Sequence, residues 1–184
     1  HTDEGNLPIH AILRYNKIYN SKFGSPNTPT AGFGNLAAGG LIQFYYNLLY
    51  NGASSAIECY THILGEVDIY NNTMYCDATH GTTYGDIYLR YGGNVVCKNN
   101  LIIKDFLSAR YTIFNQNDTA LTDDYNDYYQ YDNVGGSFRN YLNGTSYFTL
   151  STWTTASSQG VHSIAADPLF TDLAGLDFTL DPSS

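Results

Sequence analysis

The amino-acid sequence predicts an all-β domain in which short parallel strands wind into a solenoid. Asparagines followed by a short apolar or aromatic run recur at intervals of 31, 25, 28 and 26 residues, and a period of this length is typical of solenoids. The chain has 18 Tyr and only 14% charged residues, which favours strands and turns over helices. No segment keeps a 3.6-residue apolar period over three helical turns. The recurring asparagines are Asn16, Asn47, Asn72, Asn100 and Asn126.

These asparagines suit the bend between two strands of one coil. One residue at such a bend often needs a left-handed backbone, which Asn tolerates better than other non-glycine residues. The amide also carries two donors and an acceptor, so asparagines stacked in successive coils can form a hydrogen-bonded ladder. We therefore predict a ladder through all five. The alternative is that they are ordinary turn residues in an Asn-rich chain.

The predicted elements follow one another along the chain. Residues 1–20 predict an opening loop and a first strand, and residues 21–40, rich in Gly, Pro, Ser, Thr and Asn, predict a long loop. The segments beyond that loop are short, rich in β-branched or aromatic residues, and bounded by turn residues. The predicted strand segments are 41–50, 56–64, 67–76, 85–92, 94–105 and 111–116.

The segment 118–132 is acidic and rich in tyrosine. We interpret it as a solvated loop with a strand inside it. The alternative is a calcium site, because hard cations bind clustered carboxylate oxygens, although the spacing fits no EF-hand loop. No other metal or cofactor is predicted. The acidic residues of the segment are Asp118, Asp123, Asp124, Asp127 and Asp132.

Three cysteines, Cys59, Cys76 and Cys97, are too few for a disulfide framework. Their spacing matches no zinc site. We predict that they are small buried residues on consecutive rungs of the solenoid. The alternative is one disulfide and one free thiol.

The C-terminal segment 147–184 contains several short motifs in a fixed order. Trp153 is followed by a His-Ser pair, then by DPLF, DFTL and a Pro-Ser-Ser exit. This order resembles the terminal rungs of the right-handed parallel β-helix (pectin-lyase-like) superfamily, and the YNN and KNN turns resemble its repeated rungs. The resemblance implies a right-handed parallel β-helix of about six to eight rungs with long loops. It also implies that residues 1–184 form a single domain of a longer protein.

Charge and composition restrict the partners of this protein. The net charge is −9 and the sequence pI is about 4.6, with no basic stripe, which argues against binding to nucleic acid or anionic membranes. The most apolar stretch, residues 36–50, is too short and too interrupted to span a membrane. A low-charge surface rich in Tyr, Asn, Thr, Ser and Gly is common in secreted, glycan-facing proteins. We therefore expect an extracellular or cell-surface location.

The tyrosines are candidate carbohydrate contacts. Sugar rings stack on aromatic faces, and neighbouring amides and carboxylates bind their hydroxyl groups. We expect exposed tyrosine rows on successive rungs, while other members of such rows belong to the core. The candidates are Tyr45, Tyr46, Tyr70, Tyr88 and Tyr91.

Catalytic chemistry is the alternative to binding, but no catalytic motif is identifiable. A polysaccharide lyase needs a base and a cation that neutralises the substrate carboxylate. The basic candidates are Arg90, Lys98, Lys104 and Arg110. A glycoside hydrolase needs two carboxylates at a defined separation. The acidic candidates are Glu58, Asp68, Asp77, Asp86 and Asp105, with His62 and His80 near two of them in sequence.

Three Asn-X-Thr sequons are candidate N-glycosylation sites, at Asn71, Asn117 and Asn143. Asn117 and Asn143 lie in loop-like sequence and are the better acceptors. Strand alternation instead places Asn71 with Val67 and Ile69 on the core-facing side.

Three functional hypotheses follow from the sequence. The first is an extracellular or surface β-helix module with a structural or carbohydrate-binding role. The second is a polysaccharide lyase, hydrolase or epimerase. The third is a subunit of an extracellular filament or spike that associates with itself through the ends of the solenoid, where open strand edges are exposed.

Overall fold

The computed structural model shows an all-β parallel solenoid with one short α-helix, which confirms the predicted fold class. Each coil contributes one strand to each of three sheets, called A, B and C below. The described residues are 9–19, 29–34, 36–51, 54–60, 64–76, 85–90, 93–104, 111–117, 119–130, 140–142 and 144–182, without the side chains of Cys76 and Gln130.

The stack is five coils deep in the described residues, so the predicted count of about six to eight rungs is wrong. The chain beyond the fifth coil covers the stack instead of adding complete coils to it. The strands of the coils are β1 (His10–Arg14), β2 (Lys17–Tyr19), β3 (Ala31–Phe33), β4 (Leu41–Tyr45), β5 (Leu48–Tyr50), β6 (Ile57–Cys59), β7 (Glu66–Tyr70), β8 (Thr73–Cys76), β9 (Gly85–Leu89), β10 (Asn94–Lys98), β11 (Leu101–Lys104), β12 (Tyr111–Asn115), β13 (Ala120–Asp124), β14 (Asp127–Gln130) and β15 (Asn140–Leu142).

Parallel pairing keeps equivalent residues of successive coils above one another. Sheet A contains β1, β4, β7, β10 and β13; sheet B contains β2, β5, β8, β11 and β14; sheet C contains β3, β6, β9, β12 and β15. Neighbouring strands lie about 4.8 Å apart, so each position repeats as a row along the solenoid axis. One inward-facing row of sheet A consists of Leu13, Phe44, Ile69, Cys97 and Asp123.

Strand alternation separates the core from the outer faces. In β7, Val67 and Ile69 are fully buried, while Tyr70 is partly exposed. The predicted core-side placement of Asn71 is wrong, because alternation ends where the chain bends. Asn71 has a left-handed backbone, with φ +55°, and is partly exposed.

Two segments that the sequence presents as loops contain strands of the solenoid. Strand β3 lies within the predicted loop 21–40, and β13 and β14 lie within the acidic segment 118–132. The loop residues 21–28 and 35 are outside the described residues. In the acidic segment, side chains alternate between the inner and the outer face of the sheet, as the aliphatic side chains of earlier coils do. The alternating residues here are charged or aromatic.

An α-helix closes the C-terminal end of the stack. Strand β16 (Thr145–Tyr147) pairs antiparallel with β15 and leads into α1 (Leu150–Ser157). Thr149 caps the helix and forms a reciprocal capping box with Thr152. The eight residues of α1 are too few for a clear apolar period, and the sequence therefore does not predict this helix.

The C-terminal hairpin covers the outer face of sheet B. Strands β17 (Phe170–Asp172) and β18 (Asp177–Leu180) pair antiparallel. Leu173 and Phe178 of the hairpin pack with Tyr50, Tyr75 and Ile103 in a second small core. The segment 147–184 therefore differs from the predicted terminal rungs.

Cys59 and Cys97 are buried, unpaired thiols, as predicted for small core residues. Burial raises the pKa of Cys59 to about 12. Both thiols are therefore poor nucleophiles. The side chain of Cys76 is outside the described part of the chain.

Candidate functional site

The five recurring asparagines lie one above another at the corner between sheets A and B. Asn16 Nδ2 and the backbone N of Asn16 both donate to Asn47 Oδ1, at 2.9 and 3.0 Å. The same pair of bonds joins each asparagine to the next as far as Asn126. Asn72 Nδ2 also donates to the Phe44 carbonyl of the coil before it, at 2.9 Å. This ladder fixes the position of sheet A relative to sheet B.

The left-handed bend falls one residue before each ladder asparagine, so the expectation that the ladder residue itself is left-handed is wrong. The ladder amide must point into the corner, and the bend is made by the preceding residue. A bend residue points its side chain outward, as the exposed Tyr15, Tyr46 and Tyr125 show. The bend residues, with φ between +53° and +58°, are Tyr15, Tyr46, Asn71, Asn99 and Tyr125.

Four tyrosines beside this corner form a continuous patch, which we call the tyrosine platform: Tyr15, Tyr45, Tyr46 and Tyr70. Tyr45 and Tyr70 stack across two coils, with ring centroids 4.7 Å apart and planes 6° apart. Tyr15 and Tyr46 stack in the same way at 5.5 Å. Tyr15 and Tyr46 are 71% and 50% exposed, while Tyr45 and Tyr70 are half-buried. The platform thus spans three coils of sheet A.

Polar groups border the tyrosine platform. The Arg14 guanidinium lies 5.5 Å from the Tyr15 ring centroid. On the same outer face, Gln43 Nε2 donates to Asp68 Oδ2 at 3.2 Å. Desolvation, followed by the charge and hydrogen bond of Asp68, raises the pKa of Glu66. The site therefore combines amide, carboxylate and guanidinium groups with phenol hydroxyls.

The stacking determines what a ligand would contact. Each ring face within a stacked pair is covered by the partner ring, so the row presents its hydroxyl-bearing edges and the outer faces of its end members. Phenol hydroxyls both donate and accept hydrogen bonds, as do the hydroxyls of sugars. The platform is therefore suited to hydrogen bonding along a polyhydroxylated chain, with less ring stacking than the sequence predicts.

Three of the predicted carbohydrate contacts, Tyr45, Tyr46 and Tyr70, lie together in the platform. Tyr88 lies on sheet C and is 2% exposed, so its predicted exposure is wrong. Tyr91 is outside the described residues. Sequence reasoning missed Tyr15, although the Tyr-Asn dipeptide shared by the ladder positions Asn16, Asn47 and Asn126 was the signal that identifies it.

A cleft lies at the fifth coil, where the C-terminal segment passes the corner. This cleft of about 730 Å³ is lined by residues that include Asn99, Tyr125, Asp127 and Asp167. His162 stacks on Tyr125 at 4.6 Å. The cleft continues the row of bend residues away from the platform.

The basic and acidic catalytic candidates that the structure describes do not assemble into one open groove. Arg90 pairs with Glu58 at 3.5 Å on sheet C. Lys104 pairs with Asp86 at 3.9 Å, and both side chains are buried. Burial raises the pKa of Glu58 against the lowering effect of Arg90.

The other two described candidates lie apart from these ion pairs. Lys98 and Asp68 lie on the outer face of sheet A, whereas the two ion pairs lie on sheets B and C. The other candidates are outside the described residues: His62, Asp77, His80, Asp105 and Arg110.

The acidic residues of segment 118–132 that the structure describes serve separate contacts. Asp123 points into the core, Asp124 pairs with His162 at 2.8 Å, and Asp127 accepts from the backbone N of Ala166 at 3.0 Å. Within the described ranges, no three His, Cys, Asp or Glu side chains form a metal-binding group. Asp118 and Asp132 lie outside those ranges.

The sequons differ in their surroundings. Asn117 is exposed, but its side-chain Nδ2 donates to the Arg90 carbonyl. Asn71 is a partly exposed bend residue beside the platform. Asn143 is outside the described residues.

Comparison with known proteins gives one similarity of note. The chain is 32% identical over 153 residues to the Bacillus subtilis (strain 168) protein named "Uncharacterized protein YwoF". The aligned region covers 78% of this chain and 31% of that protein, so the chain spans about a third of the relative it matches. No family model and no solved structure matches the chain. Over the described ranges, no helix has the length and apolar character needed to cross a membrane.

Proposed function

We propose that this protein is an extracellular or cell-surface β-solenoid module that binds carbohydrate through the tyrosine platform. The observation that carries the proposal is a pair of adjacent stacks, one of Tyr15 and Tyr46 at the bends and one of Tyr45 and Tyr70 on the outer face of sheet A. Gln43 and Asp68 add an amide and a carboxylate beside it. Polar groups placed beside aromatic rings are the usual recognition elements for sugars.

The repeat of the solenoid favours an extended ligand over a single sugar. Platform hydroxyls recur at the strand spacing of about 4.8 Å, so a linear glycan can meet equivalent groups at successive coils. Each contact contributes little alone, since a net hydrogen bond is worth about 1 kcal/mol. Affinity should therefore increase with the length of the oligosaccharide.

The test is a glycan array followed by calorimetry with oligosaccharides of increasing length. The informative variant is the double substitution Tyr46→Phe with Tyr70→Phe, which keeps both rings but removes their hydroxyls. We expect its affinity to fall about tenfold or more, because two hydrogen bonds are lost. A purely structural role of the stacked rings predicts no change.

The matched control is Tyr19→Phe. Tyr19 is an exposed, stacked tyrosine on sheet B, 5.1 Å from Tyr50 and outside the platform. The Tyr19→Phe variant should bind glycan with the same affinity as the unchanged protein. Absence of any glycan ligand, or a double variant that binds as tightly as the unchanged protein, would reject the proposal.

The other two hypotheses have less support. A lyase, hydrolase or epimerase would need its charged groups in one groove, and the described candidates lie on different sheets. Treating acidic and neutral polysaccharides with the natural protein, and measuring polymer size and unsaturated products, tests this alternative. A filament that stacks through both solenoid ends conflicts with the helix α1, which covers one of them.

A further inference from the structure

The two ends of the solenoid differ in how they are completed. At the C-terminal end, Trp153 of α1 is fully buried and its Nε1 donates to Asp123 Oδ2 at 2.9 Å. Ser163 occupies the next ladder position, where its Oγ accepts from the backbone N of Asn126 at 3.0 Å. Ile164 then forms a parallel bridge to Asp127. The chain thus supplies its own cap at this end.

At the N-terminal end, a core position of sheet A is exposed. Leu13 is 38% exposed, whereas Phe44, Ile69 and Cys97 in the same inward-facing row are at most 1% exposed. The part of the row from Leu13 to Cys97 is apolar, and within the described residues nothing covers it at its first coil.

The backbone of β1 is also paired on one side only, within the described residues. The N of Leu41 donates to the O of Ile9, and alternate residues of a parallel strand face the same neighbour. Odd-numbered residues of β1 therefore bond toward β4, and His10, Ile12 and Arg14 direct their N–H and C=O groups to the opposite side. In the described part of the chain, no strand lies on that side.

The ladder has a direction that restricts what can dock there. Each asparagine Oδ1 from Asn47 to Asn126 accepts two bonds, from the Nδ2 and the backbone N of the coil before it. Asn16 Oδ1 is the one ladder oxygen with no coil before it in the described residues. A complementary occupant must present two donors, an amide side chain and a backbone N–H, in the same parallel register.

We infer that the N-terminal coil is a docking edge for one more parallel coil of the natural protein's own chain, with an asparagine at the ladder position. A second copy does not fit. Two N-terminal ends facing each other would oppose two Asn16 acceptors, and the C-terminal end of another copy is covered by α1. Chain length also allows it, since the similar Bacillus subtilis protein is about three times as long as its aligned region.

Hydrogen exchange resolved to single amides tests this inference. The full-length natural protein is compared with the 184-residue chain. We expect the amides of His10, Ile12 and Arg14 to exchange at least about 100-fold more slowly in the natural protein. The amides of Ala11 and Leu13 bond toward β4 and are the internal control, because they should be protected in both proteins.

Three results would overturn the inference. The first is equal, fast exchange of the three amides in both proteins. The second is a natural protein that proves to have no residues outside the 184-residue chain. The third is protection of these amides in the 184-residue chain that rises with protein concentration together with a doubled mass, which would identify a second copy as the occupant.

Discussion

The outer faces of sheets A and B are built alike but are used differently. Tyr45 and Tyr70 stack at 4.7 Å on sheet A, and Tyr19 and Tyr50 stack at 5.1 Å on sheet B. On sheet B the C-terminal hairpin covers Tyr50, which is 7% exposed, but leaves Tyr19 of the first coil exposed. On sheet A the platform remains at the surface. Stacking thus follows from the register of the coils, and the covering segment decides whether a tyrosine row becomes core or surface.

This comparison predicts destabilisation of different size for two tyrosines of consecutive strands. Tyr75 packs beneath the hairpin at 5.8 Å from Phe178, and Tyr75→Ala should lower the free energy of unfolding by about 3–4 kcal/mol, because it opens a buried cavity. Tyr70→Ala should cost less than about 1 kcal/mol, since its ring is partly solvated. Urea unfolding of both variants measures the difference. Equal destabilisation would mean that the two faces are equally part of the core.

The sequence predicts the solenoid well because its repeat is carried by strongly constrained residues. Asparagines at 47, 72, 100 and 126 are buried amides whose partners are other copies of the same residue, so their spacing reports the coil directly. The position of the left-handed residue is not predicted, because Tyr-Asn and Asn-Asn pairs both contain residues that can make the bend. Only the structure shows that the first residue of each pair makes it.

The helix α1 and the β17–β18 hairpin, which cover the coils, are less predictable than the coils themselves. Each occurs only once, so neither has a sequence period. Trp153 and Phe178 look alike in sequence, as single aromatic residues in short polar segments. One closes the end of the stack and the other covers sheet B. Which tyrosines remain exposed depends on these coverings, so the platform is only partly predictable. Tyr88 on sheet C is a further case, since its ring is 2% exposed although the sequence predicts it at the surface.

The ladder should couple the stability of sheet A to that of sheet B, because it forms the corner between them. Asn72→Leu removes the acceptor of two bonds from Asn47 and leaves Asn100 Oδ1 without its Nδ2 partner. We expect a loss of about 3 kcal/mol, the cost of buried polar groups left unpaired. Hydrogen exchange should increase in strands of both sheets A and B.

The control for this variant is Asn94→Leu, at an exposed position at the start of β10. Its unfolding free energy should stay within about 0.5 kcal/mol of that of the unchanged protein. If Asn72→Leu loosened only one sheet, the ladder would belong to that sheet and would not set the register between the two.

A buried carboxylate also connects sheet A to sheet B, and it predicts that the free energy of unfolding depends on pH. Asp123 on the inner side of sheet A accepts from Asn126 Nδ2 at 2.6 Å and from the hydroxyl of Tyr128 on sheet B. Burial raises its pKa to about 6, against the lowering effect of the hydrogen bonds from Tyr128, Trp153 and Asn126. A raised folded-state pKa means that the protonated form is favoured by folding. The contribution to stability is therefore complete below the unfolded pKa near 4 and is lost as the pH rises through 6.

Thermal and urea unfolding between pH 4 and pH 7.5 should show this contribution as about 2–3 kcal/mol, and Asp123→Asn should remove it. Asp124→Asn is the matched control. Despite partial desolvation, hydrogen bonds from His162 lower the pKa of Asp124, so its contribution is lost as the pH falls and has the opposite sign. A pH profile that is unchanged in Asp123→Asn would show that this carboxylate does not couple the end of sheet A to sheet B.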